Sequence, residues 1–235
     1  MIDLAYGEIP DSIGLILSPI VKLVVLAVMI FITIAMFQKH LKKKSTITRN
    51  LTITFVLFLL APLFSSFDIL FEWQTLFGNG ENTFVGMSCA FICNALGNVI
   101  YYHFILNIYY EKVYGPSKRR NLVILIGFGE IGSTTLALVL RITLSDLAFV
   151  FTVLHMLITL YIFSLSAYKS IQSAARIKEK EFIDRFNNIA RGSFFVITMI
   201  VLFAIDSMFE HVTIYSLTGW SMLIGAIYFI YKGYI

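Results

Sequence analysis

Leu122-Val123-Ile124-Leu125-Ile126-Gly127-Phe128-Gly129-Glu130-Ile131-Gly132 decides how the rest of the chain is read. Taken alone it is a strand-like apolar run entering G-x-G-x-x-G, with Asp146 nineteen residues beyond Gly127, as in a dinucleotide fingerprint. That reading needs a βαβ unit with a wet turn and a helix amino end facing pyrophosphate. Here the run continues through Leu136-Ala137-Leu138-Val139-Leu140, and a further apolar run begins at residue 147. Neither condition is met. The alternative is one membrane helix over residues 122–140, in which Gly127, Gly129 and Gly132 let another helix approach closely and no dinucleotide is bound.

Composition carries that reading to the whole chain. Of 235 residues, 58% are hydrophobic and 14% charged, against roughly 25% charged in soluble domains. The mean hydropathy of +0.84 excludes disorder as well. A bilayer core about 30 Å thick needs about 20 apolar residues per helix, and seven such runs occur, near residues 13–37, 51–71, 83–110, 122–140, 147–167, 193–209 and 212–231. Backbone facing lipid must satisfy its own hydrogen bonds, and the runs lack the alternation of a barrel strand. The expected fold is all-α: a polytopic membrane protein, one seven-helix bundle over residues 1–235. The first run follows no basic region or small-residue cleavage site, so a retained helix is expected there. Cys89 and Cys93, four apart in an apolar run, read as packing residues.

Orientation follows from charge by connection. Sixteen of the 18 Lys and Arg residues fall in residues 38–50, 111–121, 168–192 and at Lys232, leaving Lys22 and Arg141 elsewhere. Asp3, Glu8, Asp11, Glu72, Glu81 and Asp146 lie on the other side. The positive-inside rule then puts the N-terminus outside and the C-terminus in the cytoplasm, with the plasma membrane the expected location. The net charge of +4 records this asymmetry and points to no nucleic acid. Within residues 168–192, Ile171, Ala174, Ala175, Ile177, Ile183, Phe186 and Ile189 recur among charged residues. This is the pattern of a cytoplasmic amphipathic loop, formed either by the fifth and sixth helices extending into the cytoplasm or by a short helix on the inner membrane surface.

Polar residues at depth in a membrane are functional candidates by default. Lys22, Asp68, Asn94, Asn98, Glu130, His155, Asp206 and Trp220 are the ligand- or ion-binding candidates. Their helical spacings predict an outward-opening polar cavity in which Asp68 or Asp206 neutralises Lys22. Asn94, Asn98, His155 and Trp220 would form its floor. Thr152, His155 and Thr159 line one face of the fifth run, and Glu130 lies deep in the fourth. The plainer alternative is that these groups are interhelical glue. The four His residues include no H-x-x-x-H pair, so no metal site is expected. No nucleophile elbow or Cys–His pair stands out, and enzymatic activity is not expected.

The stretch Arg176-Ile177-Lys178-Glu179-Lys180-Glu181-Phe182-Ile183-Asp184-Arg185-Phe186-Asn187-Asn188-Ile189-Ala190-Arg191-Gly192 leads into the sixth run. It resembles the charged linker between the fifth and sixth helices in the N-terminal seven-helix sensor regions of prokaryotic histidine kinases and their stand-alone relatives. The resemblance implies a sensor or receptor. This sequence ends four residues after Tyr231 without a kinase region, so a separate cytoplasmic signalling protein is the expected partner. It would dock on Arg176, Lys178, Lys180, Arg185 and Arg191. The topology is also similar to that of microbial rhodopsins, but residues 212–231 contain no Lys for a retinal Schiff base, so no retinal is expected. Two other functions fit the same residues: a small proton, ion or solute transporter or channel using Glu130, His155, Asp68 and Lys22, and an accessory or self-associating membrane subunit.

Overall fold

The computed structural model describes residues 11–70, 85–140, 144–208 and 213–234, without the side chains of residues 11–19, 66–70, 85, 87, 145, 206–208 and 213–217. Seven helices occupy these residues: α1 (Asp11–Lys43), α2 (Thr46–Leu70), α3 (Val85–Tyr109), α4 (Pro116–Leu140), α5 (Ser145–Ala174), α6 (Lys180–Met208) and α7 (Thr213–Tyr234). Among the described residues six stretches are long and apolar enough to cross a membrane: Ile20–Lys43, Thr46–Ser65, Ser88–Tyr109, Pro116–Leu140, Asp146–Ala174 and Lys180–Ile205. The protein is an all-α integral membrane protein.

Local chemistry sets the helix ends. Lys44 stops α1 by taking a left-handed φ of 48°, and its N–H bonds back to the His40 carbonyl at 2.8 Å. Ser45 then caps α2, its Oγ accepting the Thr48 N–H at 3.1 Å. Pro116 opens α4, where its missing N–H costs nothing, and the Gly115 carbonyl accepts the Arg119 N–H at 3.1 Å. Between α5 and α6 only residues 175–179 leave the helix. The charged segment 168–192 is therefore mostly the carboxyl end of α5 and the amino end of α6.

The helices form a closed ring in chain order, each packed on the next, and α7 returns to α1. Pairs across the ring fix the directions. Lys22 of α1 stands over Trp220 of α7 at 5.5 Å, and Lys39 over Tyr234 at 4.4 Å, so α1 and α7 run parallel. α3 and α5 also run parallel, joined by Asn98–Thr159, Tyr101–Ser166 and Tyr109–Ser170. The core within the ring includes Met29, Phe55, Tyr101, Phe104, Ile105, Phe163 and Ile227, each at most 1% exposed. Outside, Leu125, Phe128 and Val139 of α4 are more than 60% exposed. Large apolar side chains turned outward in this way belong against lipid.

Candidate functional site

Glu130 has no exposed surface. It lies ten residues before Leu140 on α4, and His155 lies ten residues after Ser145 on α5. At about 1.5 Å per residue both sit about 15 Å from that end of the bundle, near the middle of a hydrocarbon core about 30 Å thick.

The glycines of the opening motif bring the partners to Glu130. A Cβ on Gly127 would stand 3.5 Å from Val99 of α3, and one on Gly129 would stand 2.9 Å from Ile158 of α5. Small residues on either side of the carboxylate thus let α3 and α5 close on it. Gly132 has no atom within 4 Å of its Cβ position and does not share this role.

Both oxygens of the carboxylate are engaged. Asn98 Nδ2 of α3 donates to Glu130 Oε1 at 3.2 Å and to Thr159 Oγ1 at 3.0 Å. The Thr159 hydroxyl lies 2.9 Å from Glu130 Oε1 and 3.0 Å from the His155 carbonyl, and its single proton serves one at a time. His155 Nδ1 pairs with Glu130 Oε2, and Thr134 Oγ1 lies 3.1 Å from the same nitrogen. The Phe91 ring meets the imidazole edge-on, centroids 6.3 Å apart. Asn98 Oδ1 has no hydrogen-bond partner among the described atoms.

A carboxylate and an imidazole in contact can hold one proton between them. It can rest on the imidazole, which then donates to a carboxylate, or on the carboxyl, which then donates to Nδ1. Thr134 competes with Glu130 for that one ring position, as an alternative acceptor in the first case and an alternative donor in the second. The chemistry available is proton binding coupled to local packing. No group of three or more His, Cys, Asp or Glu residues able to hold a metal occurs among the described residues.

The structure divides the candidate residues into separate groups. Asn98, Glu130 and His155 meet in one node on α3, α4 and α5. Asn94 is half-buried on α3, one turn from Asn98. Lys22, 8% exposed, and Trp220 meet instead at the α1–α7 seam, where Trp220 also packs edge-on against Phe203. Asp68 lies in α2 and Asp206 in α6, but their side chains are outside those described, as are Glu72 and Glu210 altogether. Sequence reasoning missed Thr134; its place four residues after Glu130, on the same helix face, was the available signal.

From the node toward the carboxyl ends of α3 and α5 the interior closes. Tyr101 stacks on Phe104 and on Phe163, centroids 5.5 and 4.9 Å apart. Ser166 of α5 lies 2.9 Å from the Tyr101 hydroxyl and accepts from Ser193 of α6 at 3.0 Å. Beyond that, the Tyr109 and Ser170 hydroxyls are 2.6 Å apart. Past the end of α5, Arg176, Lys178, Lys180 and Arg191 are exposed, while Arg185 bonds Glu181 at 2.6 Å. No protein-family model matches the chain, and no curated protein and no solved structure matches it either.

Proposed function

We propose that this is a seven-span sensor of the plasma membrane, N-terminus outside and C-terminus in the cytoplasm, whose input is a change of protonation at the Glu130–His155 pair. The observation that carries the reading is the pair itself: a carboxylate and an imidazole in contact at mid-membrane depth, held by Asn98, Thr159 and Thr134. The output is a shift of α5, which carries His155 and ends at the exposed basic turn. A cytoplasmic signalling protein docks there on Arg176, Lys178, Lys180, Arg185 and Arg191. Such a device needs two states that differ in proton affinity.

The transport reading uses the same pair. Beyond the pair the buried rings of Tyr101, Phe104 and Phe163 are stacked, with the hydrogen-bonded hydroxyls of Tyr101, Ser166 and Ser193 beside them, so a flux measurement separates the two readings. An environment-sensitive fluorophore on Ala175→Cys, in a chain also carrying Cys89→Ala and Cys93→Ala, tests the sensor in liposomes. Its emission should titrate with pH, and Glu130→Gln should flatten the curve. An unchanged curve in Glu130→Gln defeats the sensor reading, and proton flux above that of the same variant establishes transport.

A further inference from the structure

We infer that the α1–α2 turn binds a phosphate-bearing anion at the membrane boundary. A cavity of about 300 Å³ opens there, lined by His40, Leu41, Lys44, Ser45, Thr46 and Arg49. Residues 38–50 contain no Asp or Glu, while Lys42 and Lys43 add charge beside the cavity. The ion pairs among the described residues, Glu130–His155 and Arg185–Glu181, lie elsewhere.

A second cavity of about 300 Å³ provides the contrast. It is lined by Glu181, Asp184, Arg185, Asn188 and Lys232, so its two cations face two carboxylates within the same hollow. Among the described residues, the lining of the cavity at the α1–α2 turn holds Lys44 and Arg49 and no carboxylate. An anion entering it gains the attraction of both cations and relieves their repulsion. Arg and Lys together suit a phosphate, the guanidinium as a planar fork and the ammonium as a point charge.

Two further features narrow the ligand. Leu41, 54% exposed, stands beside the cations, giving the polar–apolar adjacency of a lipid phosphate above its acyl chains. Lys44 holds its left-handed φ of 48° where glycine would be unstrained. The chain thus keeps a cation at a position where backbone energetics favour its loss.

The full-length protein in nanodiscs provides the test, with lipid retention read by native mass spectrometry. In mixed phosphatidylcholine and phosphatidylglycerol discs the wild type should retain phosphatidylglycerol. The pair Lys44→Gly/Arg49→Gln should weaken retention about 30-fold, at about 1 kcal/mol per cation near a membrane surface. Lys42→Gln/Lys43→Gln removes equal charge beside the cavity but not from its lining, and should weaken retention several-fold less than the cavity pair. Lys44→Gly alone should raise the melting temperature by relieving the backbone, so that its weaker binding is not a folding defect. In discs of phosphatidylcholine alone, inorganic phosphate that stabilises the wild type but not the cavity variant would identify free phosphate as the source. Neither ligand discriminating wild type from cavity variant, or the flanking pair losing as much as the cavity pair, overturns the site.

Discussion

A methyl group built on Gly192 of α6 would stand 2.7 Å from the carbonyl oxygen of Ala226 on α7. The same methyl would meet Ile230 Cγ1 at 2.6 Å and Ile230 N at 2.9 Å, so backbone as well as side chain blocks it. One turn of helix cannot give way at two points without moving α7. Gly192→Ala should therefore destabilise the protein by about 1–3 kcal/mol, the usual range for overpacking. Gly132→Ala, with nothing within 4 Å, should be neutral or slightly stabilising. Thermal unfolding of both variants in the same detergent checks the contrast.

The Glu130–His155 pair should show strong non-additivity. Glu130→Leu leaves His155, Asn98 and Thr159 without the acceptor that holds them, and a loss of about 3 kcal/mol or more is expected from breaking a buried pair. Replacing both residues by Leu removes the stranded imidazole too, so the double variant should be less destabilised than the sum of the single ones. A double-mutant cycle by chemical denaturation measures the coupling.

Ser166 is the shared member of a polar chain through α3, α5 and α6. Ser166→Ala removes one partner of the buried Tyr101 hydroxyl, which Ser193 also engages, while Ser193 keeps its bond to the Ile189 carbonyl at 2.9 Å. A cost of about 1 kcal/mol is expected. Tyr101→Phe in the Ser166→Ala background should cost less than in the wild type, because one of the hydroxyl's two partners has already gone. The fluorophore on Ala175→Cys should also respond less to pH if this chain helps carry motion along α5.

These outcomes separate what was legible in the residues from what was not. Apolar run length reports helices directly, because a helix in lipid satisfies its own backbone, and the deep polarity of Asn98, Glu130 and His155 could be read the same way. Their partnership could not. It depends on how three helices are rotated about their axes and on the ring placing α3 between α2 and α4. Lys22 illustrates the same limit, since its place beside Trp220 follows from α7 returning to α1, a contact between the two ends of the fold. The glycines were legible as small residues; that Gly127 and Gly129 serve to present Glu130 to two neighbours was not.

Lys39 donates to the Tyr234 carbonyl at 2.8 Å and covers its ring. Lys39→Met keeps the apolar stem while removing both interactions. Faster amide exchange over the last turn of α7, with α3 and α5 unchanged, is the expected result in hydrogen-exchange mass spectrometry.

Around the ring every other neighbouring pair is consecutive in the chain and therefore tethered at one end by its connection. α1 and α7 are not, and because they run parallel no short segment could join them. Among the described residues their seam is bridged by Lys22 on Trp220 near one end and by Lys39 on the ring and carbonyl of Tyr234 near the other. The bundle is thus a bracelet with a clasp, and the clasp is the joint that can part without stretching any backbone.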